Sequence, residues 1–561
     1  VLSEATDRPG RDTQQPGQHA ANLLDGFVPW PEEVAARYRR EGYWQGRTLG
    51  GLLRDWAERY GPRTALVHGD SRFTYAELDA AADRRAAGLQ DLGVQPGDRV
   101  VVQLPNVPEF VVVCFALFRL GAVPVMALPS HRRTEIRHLC ELSGAVAYVV
   151  ADTFDGFDYR DLARELDAGV DTLRHVLVLG DPAEFTSLEK VDAEPRATAS
   201  PDPAGVAVLL LSGGTTGVPK LIPRTHDDYA YNLRASAEVC GFDESTVYLA
   251  ALPIAHNFPL ACPGILGVMH TGGRVVLAAN GNPPEAFPLI EKEGVTATAL
   301  VPPLALLWMQ AAEWVPADLS SLRLLQVGGA RLASDAAARV GPTLGCRLQQ
   351  VFGMAEGLLN YTRLDDPEEL VTTTQGRPLA PADEVRVVDA AGEEVPVGEL
   401  GELWVRGPYT LRGYYQAEEY NRTAFTEDGF YRSGDLVRRG PTGHLSVEGR
   451  IRDVINRGGE KVSATEIEDH LVAHPSIRDA AVAALPDEML GERICAFVIP
   501  DGDPPGLVTV KRFLRERGLA EYKLPDRLEL EESWPLTSVG KISKQQLAAE
   551  LARRIAPGEP R

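Results

Sequence analysis

The stretch Leu209-Leu-Leu-Ser-Gly-Gly-Thr-Thr-Gly-Val-Pro-Lys220 carries an apolar strand into a loop with three glycines, two threonines and a closing lysine. Glycines let backbone N–H groups approach phosphate oxygens, and hydroxyls and an ammonium complement the charge. It is not a GxxxxGK[ST] loop, because Pro219 stands where that pattern requires glycine. The lysine carries weight because the chain holds only eight lysines among 57 basic residues. Arginine is its default cation, and arginine's planar fork does not mimic a compact ammonium.

Outward from this loop, short β-branched runs alternate with helical patterns. Val100–Leu104, Val146–Val150, His175–Leu179, Val206–Leu211, Val247–Leu252, Arg274–Leu277, Ala297–Val301 and Leu322–Val327 read as strands. Pro108–Leu120 and Asp227–Val239 read as helices. The alternation predicts an α/β fold with mostly parallel sheets. From about Gly376 the texture changes to short strands between glycine turns (Glu384–Val388, Gly401–Arg406, His444–Glu448), a small β subdomain. A charged joint at Arg450–Asp453 leads into a smaller α+β segment. Its predicted helices are Ala464–His474 and Val508–Arg517, and its strands Ala480–Ala484 and Ile494–Ile499. The expected organisation is a disordered polar tail at 1–22, a large N-terminal domain at 23–451 and a mobile C-terminal domain at 452–561.

Composition narrows the function classes. With 561 residues, 44% hydrophobic and 24% charged, the chain is expected to be a globular protein of at least two domains. A net charge of −22 argues against a nucleic-acid surface. The most apolar run, Val111 to Leu128, is interrupted by Arg119, Gly121 and Pro124, so a buried helix and strand are expected rather than a membrane span. Six cysteines without CxxC spacing suggest neither zinc nor a disulfide framework, and a reducing, cytoplasmic location fits. The polar N-terminus is not expected to be a signal peptide.

Three further motifs follow in order: Gln350-Val-Phe-Gly-Met-Ala-Glu356; Tyr431-Arg-Ser-Gly-Asp435 with Gly449-Arg450-Ile-Arg452-Asp453; and Gly540-Lys541-Ile-Ser-Lys544. Singly they also read as a helix-capping acid, a turn aspartate and a solvated basic tail. Together, and over about Phe27 to Glu550, they resemble the adenylate-forming superfamily of acyl-CoA synthetases, luciferases and peptide-synthetase adenylation domains. Phe27-Val-Pro-Trp-Pro, Pro223-Arg-Thr-His-Asp-Asp-Tyr and Leu252-Pro-Ile-Ala-His-Asn-Phe-Pro-Leu narrow the resemblance to stand-alone aryl-acid adenylation enzymes of siderophore assembly, the 2,3-dihydroxybenzoate–AMP and salicylate–AMP ligases.

The resemblance implies ATP and Mg²⁺ as cofactors and assigns roles by position. Gly213, Gly214, Thr215, Thr216, Gly217 and Lys220 would hold the β- and γ-phosphates, and Glu356 would bind Mg²⁺ with them. Gly329, Ala330, Val351, Phe352 and Gly353 would line the adenine slot, Asp435 would accept the ribose hydroxyls, and Arg450 would sit near ribose and phosphates. Lys541 would bridge the substrate carboxylate and α-phosphate. His256 would gate the junction, although it equally fits a packed core histidine. Asn257 would bond the ortho-hydroxyl of the acid, Phe258 and Gly328 would wall the ring, and Cys262 and Leu359 would set the hydroxyl pattern. Serine and valine are expected at those last two positions in 2,3-dihydroxybenzoate enzymes, so salicylate is the expected acid.

After adenylation the C-terminal domain is expected to rotate about Arg452, which also fits a solvated linker charge. The rotation would bring Gly458, Gly459 and Lys461 to a pantetheine tunnel. Too few residues follow Lys541 for a carrier domain, so the expected partner is a separate aryl carrier protein bearing phosphopantetheine, with no nucleic acid and no membrane. A 2,3-dihydroxybenzoate–AMP ligase, an aryl-CoA ligase and a catalytically silent nucleotide-binding scaffold are the alternatives.

Overall fold

The structure, a computed structural model, describes residues 24–212, 219–451, 454–457, 460–487, 490–517, 519, 521–537 and 541–555. Two large sheets organise the first 380 or so residues. In one, seven strands run in the order Leu221–Thr225, Val206–Leu211, Val123–Met126, Arg99–Gln103, Ala147–Ala151, His175–Leu179 and Thr186–Ser187. Every neighbouring pair but the first is parallel. Parallel strands need both faces covered, and Val100, Val101 and Val102 are accordingly inaccessible to solvent. In the other, nine strands include the parallel run Arg347–Met354, Leu324–Gly328, Ala297–Leu300, Val247–Ala250, Arg274–Leu277 and Thr64–His68. The expected α/β architecture is therefore present.

The apolar run near residue 120 is a buried helix, Pro108–Leu120, followed by the strand Val123–Met126. Proline sits in the first turn of the helix, where its missing N–H costs nothing, and Gly121 ends it at φ 70°. No helix among the described residues is long and apolar enough to cross a membrane.

The β-rich texture after Gly376 is a four-stranded antiparallel sheet of Glu384–Val388, Leu400–Arg406, Tyr431–Arg439 and Leu445–Arg450. The smaller C-terminal part has its own sheet, in which the long hairpin pairs the edge strand Ile477–Asp487 with the inner strand Gly491–Pro500. The helices Ala464–Val472, Leu507–Glu516 and Lys544–Ile555 belong to this part. It has a separate apolar core around Ile467, Leu471, Val498 and Leu514. Arg331 of the large part pairs with Asp469 of the small one at 2.9 Å, and Ser463 Oγ donates to the Glu448 carbonyl at 2.7 Å.

Candidate active site

The glycine-rich loop does not lead from a strand into a helix. It joins two antiparallel strands, Val206–Leu211 and Leu221–Thr225, in register at Leu211 and Leu221. Its neck is closed by a reciprocal pair of hydrogen bonds: Ser212 N–H donates to the Lys220 carbonyl at 3.0 Å, and Lys220 N–H donates to Ser212 Oγ at 3.0 Å. Gly213, Gly214, Thr215, Thr216 and Gly217 lie outside the described residues. Lys220 Nζ stands 4.0 Å above the Tyr420 ring and 5.8 Å from the Tyr414 ring, so aromatic faces hold the ammonium where the neck opens.

Glu356 is buried, and Tyr414 OH donates to its Oε1 at 2.8 Å. Tyr414 OH also lies 2.8 Å from Tyr431 OH. Burial raises the Glu356 carboxyl above its ordinary value, and the Tyr414 hydrogen bond opposes that. Loop lysine and buried acid thus converge on one phenol. None of the three tyrosines was assigned a role from the sequence, where isolated aromatics read as core. Among the described residues no three His, Cys, Asp or Glu side chains cluster as a metal cage. A single carboxylate, linked through Tyr414 to Lys220, is a donor set that suits Mg²⁺ held chiefly by phosphate oxygens and water.

Asp435 sits in the third strand of the small sheet, opposite Arg450 in register. Its Oδ1 accepts from Arg450 Nε at 2.7 Å, so the two residues assigned to the ribose are in contact. Its Oδ2 is buried with no hydrogen-bond partner among the described residues. An unmet buried carboxylate oxygen is costly unless a ligand supplies the donor, and a hydroxyl is such a donor.

The parallel strands Leu324–Gly328 and Arg347–Met354 bring Gly328 opposite Val351. A methyl added to Gly328 would meet the Val351 carbonyl at 2.9 Å and the Phe258 ring at 3.0 Å, so only glycine fits there. Gly329 follows at φ +84°, and Ala330 is exposed. Phe352 and Gly353 continue the second strand, where Gly353 packs against Leu359 in register.

Asn257, Phe258 and Cys262 are buried on and just after the short helix Asn257–Ala261. Asn257 Nδ2 donates to Cys262 Sγ at 3.3 Å, and Tyr229 OH donates to Asn257 Oδ1 at 2.8 Å. His256 caps this helix by accepting from Phe258 N–H at 3.2 Å. Burial and the nearby Lys541 ammonium lower the His256 imidazole to about 4, so it is neutral at pH 7. Lys541 Cε lies 3.8 Å from where a methyl on Gly329 would stand. The C-terminal lysine therefore reaches Gly329 and acts electrostatically on His256, although 212 positions separate Gly329 from Lys541.

Arg224, also without a sequence-assigned role, is fully buried. It donates from Nε to Asp228 at 2.7 Å and from Nη1 to the Ala355 carbonyl at 3.1 Å, and its guanidinium lies 5.0 Å from the Tyr229 ring centroid. Arg452, Gly458, Gly459 and the polar tail lie outside the described residues. Lys461 pairs with Asn456 in the strand Glu460–Ser463.

A buried carboxylate oxygen left for a ligand at Asp435, a lysine at the neck of a glycine-rich loop and a distant lysine brought to Gly329 are the arrangement expected of an enzyme that binds a nucleotide and a second, small substrate. Comparison with known proteins agrees. The AMP-binding enzyme family matches residues 53–415 and its C-terminal domain matches 466–541. The 2,3-dihydroxybenzoate-AMP ligase of Bacillus subtilis is 57% identical over 536 residues, covering 96% of this chain and 99% of that protein. The salicyl-AMP ligase / salicyl-S-ArCP synthetase of Mycobacterium tuberculosis is 53% identical, covering 95% and 96%. The apo structure of Mycobacterium smegmatis MbtA matches with a TM-score of 0.74 at 55% identity, covering 94% and 99%. The chain belongs to the AMP-binding enzyme family, in its aryl-acid adenylating group.

Proposed function

We propose that the enzyme activates an aromatic carboxylic acid, salicylate by preference, as its acyl-AMP, and then transfers the acyl group to the phosphopantetheine thiol of a separate aryl carrier protein. The observation that carries the adenylation reading is the convergence of Lys541, His256 and Gly329 between the Asn257 pocket and the nucleotide-side residues. It supports a cation standing where carboxylate and α-phosphate approach one another.

No protein nucleophile is required. A carboxylate oxygen attacks the α-phosphorus, the new O–P bond forms, and the bond to the bridging oxygen breaks as pyrophosphate leaves with its electrons. Catalysis is positioning and charge stabilisation. Lys541 offsets charge on the carboxylate and α-phosphate. Neutral His256 keeps a second cation from that junction. Asp435 Oδ2 receives a ribose hydroxyl, and Lys220 meets the outer phosphates. Mg²⁺ held by Glu356 and phosphate oxygens would neutralise the departing pyrophosphate. In the second step the thiol replaces AMP at the acyl carbon. Arg452 would serve as the hinge, and Gly458, Gly459 and Lys461 would line the thiol's path. The six cysteines are all buried and free, which supports work in a reducing cytosol.

Identity to relatives does not separate salicylate from 2,3-dihydroxybenzoate, since relatives named for each exceed 50%. The pocket favours salicylate. Cys262 is buried with Sγ already accepting from Asn257, and Leu359 is buried beside Gly353, so a 3-hydroxyl there lacks a strong partner. ATP–pyrophosphate exchange over salicylate, 2,3-dihydroxybenzoate, benzoate, anthranilate and hydroxypicolinate tests the reading. Exchange highest with salicylate is the expected outcome. A preference for the dihydroxy acid rejects the substrate, and no exchange with any of them leaves only a nucleotide-binding scaffold.

A further inference from the structure

The amide of Asn257 has two chemically opposite ends, and which end meets the acid decides what ortho group is welcome. In this structure one end is met by a buried phenol. Tyr229, on the helix His226–Val239, is fully buried and donates its hydroxyl proton to Asn257 Oδ1 at 2.8 Å. The amide nitrogen is the other end, and it donates to Cys262 Sγ at 3.3 Å. An amide nitrogen carries two hydrogens, so a second donor remains beyond the Cys262 contact.

Two features favour the Tyr229 hydroxyl as the donor in this bond. Burial raises the phenol well above its ordinary value, so it keeps its proton. The Arg224 guanidinium lies 5.0 Å from the centre of the phenol ring. A cation beside the ring draws electron density from it, which makes the hydroxyl a stronger donor and a weaker acceptor. Turning the amide over would set its nitrogen against that donor. Arg224 is itself held by Asp228 and the Ala355 carbonyl, so the arrangement is braced from two elements.

We propose that Tyr229 is a positioning residue that locks the Asn257 amide with its nitrogen toward the acid, making the site select ortho groups that offer a lone pair over ortho groups that offer an N–H. The inference rests on the aryl-acid reading above. In salicylate the ortho-hydroxyl donates its only proton to the adjacent carboxylate and turns a lone pair outward, which the Asn257 N–H meets. In anthranilate one amino hydrogen bonds the carboxylate and the second points outward, so donor faces donor. A site built to pair one polar group rejects the mismatched isostere, because a buried donor is left unmet.

The test is ATP–pyrophosphate exchange with salicylate, benzoate and anthranilate on wild type and Tyr229→Phe, each checked for folding by thermal melting. For wild type, kcat/KM should run salicylate, then benzoate, then anthranilate, with at least about 10-fold between the first and last. In Tyr229→Phe the Asn257 oxygen loses its donor and the amide is free to turn. The salicylate-to-anthranilate ratio should then fall at least about 5-fold, chiefly because anthranilate improves relative to benzoate. A purely structural role would lower all three acids together, and that outcome overturns the proposal. So does a wild type that uses anthranilate as well as salicylate, a result that does not depend on the variant folding. Exchange with none of the acids rejects the aryl-acid reading itself instead.

Discussion

Lys544 Nζ lies 2.6 Å from Glu468 Oε1, an ion pair on the C-terminal part of the chain. The same carboxylate oxygen accepts from Val482 N–H at 2.5 Å, so Lys544 ties the last helix to the long hairpin through Glu468. The two lysines of the Gly540–Lys544 motif therefore stand in different surroundings, since Lys541 approaches Gly329 and its charge is felt by His256.

Lys541→Ala should reduce ATP–pyrophosphate exchange by about 10²–10³, on the scale of a lost oxyanion donor. Lys544→Ala should leave exchange close to wild type but lower the melting temperature, because a buried carboxylate loses its cation, at about 1–3 kcal/mol. Equal losses of exchange in the two variants reject the assignment.

Asp435→Asn replaces one carboxylate oxygen by an amide donor and weakens the contact with Arg450. KM for ATP should rise by about 10- to 100-fold, the worth of one or two hydrogen bonds to a charged group, with kcat less affected. An unchanged KM would mean that the unmet Oδ2 is not a ribose acceptor.

Cys262→Ser together with Leu359→Val should move kcat/KM toward 2,3-dihydroxybenzoate. Serine supplies a hydrogen-bond partner for a 3-hydroxyl, and valine clears a methylene. The shift should be roughly 5- to 150-fold, the cost of about 1–3 kcal/mol for an unmet buried hydroxyl. A ratio unmoved by the double substitution would show that these are ordinary core residues.

Acid should destabilise the fold through its buried histidines. Burial lowers His131, His256 and His270 to about 4 and His226 to about 3. Unfolded, each returns to about 6.5 and takes a proton that the native state refuses, so stability is full above that value and falls as pH drops toward 4. The urea midpoint should therefore decline between pH 7 and pH 5. His226→Asn, which keeps an acceptor for Leu49 N–H, should flatten that decline. A variant with the wild-type slope would exclude His226 as a contributor.

Arg452→Pro fixes φ at the proposed hinge and should impair thioester formation more than adenylation, read by comparing carrier loading with pyrophosphate exchange. Arg331→Ala, which removes the 2.9 Å pair with Asp469, should act on the opposite step and slow adenylation first, because that pair holds the orientation in which Lys541 reaches His256. Parallel losses of both steps in both variants would reject the two-orientation scheme.

What the sequence made legible was chemistry on punctuated loops. Lys220, Glu356 and Asp435 each stand near glycines in the sequence; in the fold Lys220 and Glu356 both approach Tyr414, and Asp435 lies in a strand with a buried oxygen left without a partner among the described residues. Two kinds of feature escaped. Strand pairing is nonlocal, so the antiparallel return after the phosphate loop was not visible in the run that precedes it. Tyr431–Arg439 was missed as a strand because Gly434 and four charged residues break its alternation. The tyrosines escaped because a buried aromatic reads as core whether or not its hydroxyl is used. Only the structure shows Tyr414 touching Glu356 and Tyr229 touching Asn257.

Arg224 touches both halves of this site: the Ala355 carbonyl, one residue from Glu356, and the ring of Tyr229, one contact from Asn257. On the proposed function, acid recognition and nucleotide handling share a brace and are not independent modules. Substitutions chosen to retune the aryl pocket will disturb the apparent affinity for ATP, and a specificity ranking taken at a single subsaturating nucleotide concentration would confuse the two effects. Redesign of this scaffold for new acids should vary the pocket wall at Cys262 and Leu359 and leave the Arg224–Asp228 pair alone.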